Sequence, residues 1–496
     1  MVKRISFLLV LCAFSAYSTV NYPYPQRILY GNGTINTTTA TASDNLKSKF
    51  TSFMTSHYEE NSSKTLARIK FDPGQEAQTV SEGIGYGMIM MVYFSDNDKD
   101  YKNEFDRLWA YYKNFRNSND LMNWKINGFN SVSDYGSASD AEFDVALALV
   151  MAHYQFGDQK YLTDAKALIG KIRQYEISSN NLHLPGDGWL NNIKRNPSYV
   201  SPAAFEIFKE VETDQATKWN SIITANYTLL KNNQNKSTVK LPSDWCDDNG
   251  NVLSDGEGKQ QYGYDAPRAP WRWAWANAWY GHQDAKTLLG NLVTWVNGLT
   301  PSNVKGPIKF DGTMGSDHNA TFVGPLTNVL SYNSQYQSKM NDFWSRLISR
   351  NDASYFNKAM QLLTGLLATG NMPNLKALSE GNGGTPMPMP SSSSNGTSSS
   401  SNSSNSSNSS SSGGGTPIIM SQTVLSNSAI TSKNGINLAV KSNAVVEVFG
   451  LKGNSMRKFR FANGVYSVSF SDLPKGLYIV KVSFGSEKRI LRVPVN

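Results

Sequence analysis

Apolar residues recur at helical spacing through the first three-quarters of the chain. Segments carrying the i, i+3, i+4, i+7 pattern run at about 42–57, 81–94, 100–117, 138–155, 159–174, 200–213, 214–232, 265–282, 283–298, 317–332, 333–350 and 354–369. Twelve helices with little strand signal predict an all-helical α/α toroid, with alternate helices inside and outside. The periodicity stops at 233–263, where Asn, Asp and Gly dominate, and that stretch reads as a loop of the kind that lines sites.

The pattern changes twice more. From Gly381 to about Pro417 the chain runs through GNGGTPMPMP, Ser/Asn repeats and GGGTP. Such a composition cannot bury apolar area and forms a tether. Beyond it, AVVEVFG, KFRFAN, VYSVSF, GLYIVKVSF and KRILRVPV alternate or cluster β-branched and aromatic residues between Gly and Pro-Lys-Gly turns. These predict a small antiparallel β-sandwich. At the other end, Lys3 and Arg4 precede an apolar run from Ile5 to Phe14 and the small-residue pattern Ala16-Tyr17-Ser18, the form of a secretory signal peptide. The expected division is a signal peptide at 1–18, a helical domain at 19–380, a linker at 381–417 and a β-module at 418–496. The expected location is secreted or cell-surface.

Composition narrows the chemistry. Signal removal takes Cys12 and leaves Cys246, so no intramolecular disulfide is expected. The five histidines lack zinc-ligand spacing, and no Gly-rich phosphate loop follows a strand, so neither a metal nor a nucleotide cofactor is implied. The net charge of +8 lies in the last module: from Ser421 onward there are eleven basic and three acidic side chains. The helical region is balanced, which suits an uncharged substrate better than nucleic acid.

Three segments carry candidate chemistry. In Thr79-Val80-Ser81-Glu82-Gly83-Ile84-Gly85-Tyr86-Gly87 a carboxylate sits among three glycines at a helix start. Each helical glycine costs about 1 kcal/mol against alanine, so something is expected to approach that backbone closely. Thr79-x-x-Glu82 equally fits a capping box, which needs no function. In Ala138-Ser139-Asp140-Ala141-Glu142-Phe143-Asp144 three acids open an apolar helix. The helix dipole favours them there, and Ser139-x-x-Glu142 is again a capping box. Asp140 and Asp144, four apart, share a face. The third segment, Tyr262 to Trp275, places Asp265 before Pro267 and Arg268, with Tyr262, Tyr264, Trp271, Trp273 and Trp275 close by. Such aromatic density fits stacking on sugar C–H faces and fits core packing equally well. Arg268 is placed to hold Asp265 ionised. Glu82 protonated and Asp265 charged would make the acid and base of glycoside hydrolysis.

Together the three segments resemble glycoside hydrolase family 8, which shows S-E-G-x-G-Y-G, A-S-D-A-D-x-x-I-A and Y-D-A-x-R in this order. Here they read Ser81–Gly87, Ala138–Ala146 and Tyr264–Arg268, with further matches at Asn196–Tyr199, Leu241–Trp245 and the closing Thr369–Asn374. Glu142 and Val145 depart from the signature. The resemblance spans about residues 22–375 and implies an (α/α)6 barrel acting with inversion. It implies Glu82 as general acid, Asp265 as general base, and Asp140 at the cleaved sugar. It further implies Arg268 orienting Asp265, Tyr199 near the attacking water, and Trp124 and Trp189 stacking on sugar, with Tyr264 at the substrate. No cofactor is implied. The substrate expected is β-1,4-glucan cut internally, with xylan as the runner-up, and the chain is expected to be a monomer. A saccharide-binding protein without catalysis and a structural adhesin are the readings of other classes. Leu473–Lys481 resembles sorting domains of the type IX secretion system, which implies contact with secretion machinery. A basic surface-attachment module is the alternative.

Overall fold

The computed structural model describes residues 20–189, 192–253 and 261–386, and then 428–432, 435–440, 444–450, 455–461, 464–470, 473–484 and 487–495. The expected signal peptide and nearly all of the expected linker lie outside these residues. The chain divides into two compact units, Met1–Pro388 and Met389–Asn496.

Among the described residues the first unit is built on twelve long helices: α1 (Ala42–His57), α2 (Ser81–Phe94), α3 (Lys102–Asn114), α4 (Ser139–Phe156), α5 (Gln159–Tyr175), α6 (Pro202–Val211), α7 (Ala216–Gln234), α8 (Arg268–Tyr280), α9 (Gln283–Asn297), α10 (Ala320–Val329), α11 (Gln337–Ile348) and α12 (Tyr355–Ala368). Each falls on one of the twelve periodic segments. A thirteenth, α13 (Leu375–Ser379), has one turn and too few residues to show a period.

Burial separates the helices into two kinds. In α2 every residue except Glu82 is buried, and α10 is buried throughout. The odd-numbered helices are amphipathic; α1 buries Leu46, Phe50 and Phe53 and exposes the face between them. Contacts follow the same division. The even helices pack in the order α2, α4, α6, α8, α10, α12, and α12 returns to α2, while each odd helix leans on an even neighbour. A closed ring of enclosed helices inside a ring of amphipathic ones is consistent with an (α/α)6 barrel.

Two of the three glycines of α2 serve close packing. A Cβ on Gly85 would stand 3.1 Å from Asp144 Cβ and 3.2 Å from the Ala141 carbonyl, and one on Gly87 3.0 Å from Ile69 and Leu108. The close approach read from the sequence is therefore made by α4, α3 and a neighbouring strand of the protein itself.

Short strands missed by the periodicity dress one end of the ring. Gln78–Val80, Lys125–Asn127 and Ser131–Asp134 form an antiparallel sheet, and Tyr58–Glu60 pairs with Ala67–Ile69. At two to four residues each they hold too few positions to display alternation. Elsewhere Ile28–Leu29 pairs with Thr385–Pro386, bringing the two ends of this unit side by side. The Thr369–Asn374 segment reinforces that closure. Asn371 accepts from Arg27 N at 3.0 Å and donates to Ser43 Oγ at 2.9 Å.

The second unit carries two antiparallel sheets. Four strands run in the order Ser455–Phe461, Ala444–Gly450, Gly476–Phe484, Glu487–Val495, and three in the order Gly464–Ser469, Gly435–Val440, Ser428–Ser432. Both sheets contribute to one apolar core, with Ile436 and Leu438 from one and Val446, Val480 and Val493 from the other. On the face of Ala444–Gly450 away from that core, Glu447 pairs with Lys458 at 2.9 Å and Lys481 at 3.3 Å.

Candidate active site

The candidate residues collect where the even helices begin. Glu82 is the second residue of α2, Asp140 the second of α4, and Arg268 the first of α8. Asp265 lies in the turn leading into α8, and Tyr199 just before α6. Tyr355, which the sequence reading did not single out, opens α12. Helix N-termini carry partial positive charge and free N–H groups, so their convergence favours a cluster of carboxylates.

Arg268 is the hub. Its side chain is 2% exposed. Nη1 donates to Glu82 Oε2 and, at 2.7 Å, to Asp140 Oδ2, while Nη2 donates to Asp265 Oδ1 at 2.6 Å. One guanidinium therefore gathers acids from three separated segments. Its flat faces are covered by Tyr199 and Phe356, whose ring centroids lie 5.1 and 5.7 Å from the guanidinium carbon.

The three acids sit in different surroundings. The Glu82 side chain is 15% exposed, Asp140 3% and Asp265 37%. Burial raises the Glu82 carboxyl above its ordinary value, outweighing the opposing pull of Arg268 and of the Tyr355 hydroxyl, which donates to Oε1 at 2.9 Å. Burial likewise pushes Asp140 up to about 7 against Arg268, and its Oδ1 is buried without a partner among the described residues. The most exposed of the three, Asp265, takes its second hydrogen bond from the Trp245 indole at 3.1 Å.

Neither capping box forms. Val80 occupies the N-cap of α2, and the Thr79 hydroxyl donates to Ile69 O at 3.0 Å instead. Ala138 caps α4, and Ser139 Oγ donates to Leu184 O at 2.5 Å. Both hydroxyls are drawn away by neighbouring segments, and the Glu82 carboxyl is held instead by Arg268 and Tyr355. Glu142 is structural for another reason. Fully buried, it accepts from the Tyr112 hydroxyl and from Met122 N at 3.1 Å. Asp144 meets Arg272, one turn beyond Arg268, and so the acids of α4 and the arginines of α8 pair in step.

The aromatic cluster divides. Tyr262, Trp271, Trp273 and Trp275 are completely buried and belong to the core, so for these four the sugar-stacking reading is corrected. They lie on the enclosed helix α8 or just before it, with no surface to offer. Tyr264 alone is open, at 39%, its hydroxyl donating to Asp317 at 2.8 Å. Trp124 is half-buried, and its carbonyl accepts from Ser81 N at 2.8 Å, which sets it beside Glu82. Trp189, also half-buried, stacks on Trp245 with centroids 6.0 Å apart, and Trp245 leans on Tyr199 at 6.1 Å. These three rings form a continuous wall ending at Asp265.

Asp144, Arg272, Asp244, Trp245 and Tyr355 acquire their places only through the fold. Trp245 lay inside a matched motif, but nothing local linked it to Asp265, 20 residues away.

Residues 23–371 match the family model described as Glycosyl hydrolases family 8. Endoglucanase 2 of Ruminiclostridium josui is 30% identical over 399 residues, covering 76% of this chain and 85% of that protein. Endoglucanase C of Ruminiclostridium cellulolyticum is 30% identical over 384 residues, covering 75% and 81%. Among solved structures, a β-1,3-1,4-glucanase from Paenibacillus sp. X4 superposes with a TM-score of 0.67 at 26% identity, covering 71% of this chain and 99% of that one.

Proposed function

The chain belongs to glycosyl hydrolases family 8, and from that premise we propose that it is an endo-β-1,4-glucanase acting with inversion on cellulose or β-glucan. Its first unit is then an (α/α)6 barrel, with Glu82 as general acid and Asp265 as general base. The observation that carries the reading is the Arg268 hub, which gathers a buried acid and a more exposed one. Hydrolysis with inversion needs this asymmetry, one carboxyl protonated and the other charged, on opposite sides of the scissile bond.

The Glu82 carboxyl gives its proton to the glycosidic oxygen as the bond to the anomeric carbon breaks. On the other face, Asp265 takes a proton from water while the water oxygen bonds that carbon. The product carries the inverted configuration, Glu82 is left charged and Asp265 protonated, and solvent exchange restores both. Asp140, beneath the cleaved sugar, supports its distortion. Tyr199 approaches the attacking water, Arg268 orients Asp265, and Trp124, Trp189 and Tyr264 bind neighbouring sugars. The similar proteins, two endoglucanases and a β-1,3-1,4-glucanase, support glucan as the substrate.

The deciding experiment is a reducing-sugar assay on carboxymethylcellulose, mixed-linkage glucan and xylan with wild type and Glu82→Gln. Release from the two glucans by wild type alone is expected. Release from xylan alone makes the chain a xylanase, and equal release by both proteins removes Glu82 from the role of acid.

The division at 1–18, 19–380, 381–417 and 418–496 belongs to the same proposal: a secreted monomer whose basic module serves sorting or surface attachment. Deleting 418–496 and finding export and surface retention unchanged would end that part of it.

A further inference from the structure

The segment Leu241–Trp245 has no role in the proposal above, yet it is built around Asp265. It is pinned on both sides. Asn233, at the end of α7, holds Ser243 by donating to its Oγ at 2.7 Å and accepting from its N at 2.9 Å. Cys246 and Arg195 exchange backbone hydrogen bonds at 2.8 and 2.7 Å. Between these anchors two successive side chains turn toward the proposed base. Asp244 Oδ1 accepts from Gly263 N at 3.0 Å and from Ala266 N at 2.7 Å, so it grips the backbone on both sides of Asp265. Trp245 donates its indole N–H to Asp265 Oδ2 at 3.1 Å, leaving Oδ1 to Arg268.

We infer that Asp244 and Trp245 are positioning residues that together form a seat fixing the backbone and the carboxylate orientation of Asp265. This rests on Asp265 being the base. The seat does two things that Arg268 alone cannot. It fixes the turn that carries Asp265, and it supplies a second donor, so that the carboxylate is held from two directions and cannot rotate about its bond to the guanidinium. Because Trp245 also stacks on Trp189 and leans on Tyr199, the seat is continuous with the aromatic wall. Asp244 itself is buried. Burial, then the charge of Asp265, pushes its carboxyl to about 8, so near neutrality it stands beside the base as a neutral group. The neutral form adds no charge that would oppose ionisation of Asp265.

The test uses the full chain on soluble mixed-linkage glucan, with kcat, KM and the pH profile of kcat/KM measured for Trp245→Phe, Asp244→Asn, Asp244→Ala and Asp265→Asn. Trp245→Phe keeps the ring and removes the donor. Its kcat is expected to fall about tenfold with KM nearly unchanged, the effect of losing one hydrogen bond to a charged group. The acidic limb of its profile is expected to move to higher pH, since a donor favouring the charged form is gone. Asp244→Ala should lower kcat further. Asp244→Asn, whose amide oxygen still accepts both backbone N–H groups, should return it to within about threefold of wild type.

A Trp245→Phe protein that loses only affinity, with its pH profile unmoved, would show a sugar platform and overturn the seat. So would wild-type kcat in Asp244→Ala. If Asp244→Ala fails to fold by circular dichroism, the Trp245→Phe profile decides alone. Asp265→Asn separates the two levels. Its inactivity alongside unaffected Trp245→Phe and Asp244→Ala defeats the seat only, whereas full activity defeats the base assignment and the seat with it.

Discussion

Arg272 meets Asp144 through two hydrogen bonds of 2.8 Å, with neither side chain more than 2% exposed. Arg272 also donates to Ser198 O at 2.9 Å and Ser201 Oγ at 2.9 Å, which ties the pair to the turn carrying Tyr199. A buried pair is costly to break on one side, because the partner keeps an uncompensated charge. Asp144→Ala is expected to lose about 3–5 kcal/mol of stability by denaturant unfolding. Asp144→Leu combined with Arg272→Met should recover much of that loss, since both charges go together.

Arg268→Lys tests the hub. Lysine keeps the charge but not the planar fork, and it cannot hold Glu82, Asp140 and Asp265 in one plane. A fall in kcat of about a hundredfold or more is expected, with thermal stability reduced far less than in Arg268→Ala. Single-turnover kinetics would show the loss in the chemical step.

Tyr355→Phe removes the hydroxyl that donates to Glu82 Oε1. That hydrogen bond lowers the Glu82 carboxyl against the larger effect of burial. Without it the acid should hold its proton to higher pH, and the basic limb of the kcat/KM profile should shift upward. A downward shift would contradict the geometry.

Much of this was legible in the sequence, and the reasons for the failures are physical. The odd-numbered helices could be placed because burial repeats every three to four residues along one face, and the enclosed even-numbered ones because their apolar stretches run too long for strands. Glu82, Asp140, Asp265 and Arg268 were legible as motif members, and the fold brings the four together. The capping boxes misled because a hydroxyl at the right spacing took a partner from another segment. The Tyr262–Trp275 cluster misled because an enclosed helix is aromatic on every side, which composition cannot distinguish from a sugar platform. Tyr355 was invisible: it opens an amphipathic helix like any core tyrosine, and its partner lies 273 residues away.

Raising the pH from acid through neutral should weaken the fold. Burial raises Asp140 to about 7, Glu142 to about 8 and Asp244 to about 8, and lifts Glu176 well above its usual range. Each carboxyl holds its proton to higher pH folded than unfolded. Their contribution is thus fully present below the unfolded value near 4 and is lost as pH rises through the folded values. The unfolding free energy should decline from about pH 4 upward by about 1.4 kcal/mol per pH unit for each proton that the folded chain holds and the unfolded chain has lost, each group's share ending near its folded value. Among the described residues the Glu176 carboxyl accepts from Ser137 Oγ at 2.6 Å, and its second oxygen is buried with no partner there. Glu176→Gln should therefore fold and flatten the decline by one proton in a pH series of thermal unfolding.

The pairing of Ile28–Leu29 with Thr385–Pro386, locked by Asn371 against Arg27 and Ser43, makes the start and finish of the helical unit neighbours in space. A polypeptide whose ends meet has no privileged first helix. Joining those ends by a short bridge and cutting the chain open at an exposed loop elsewhere would leave every helix contact available. The Arg268 hub would then be assembled from the same side chains delivered in a rotated gene order, because its geometry depends on which helices lie side by side and not on which is synthesised first.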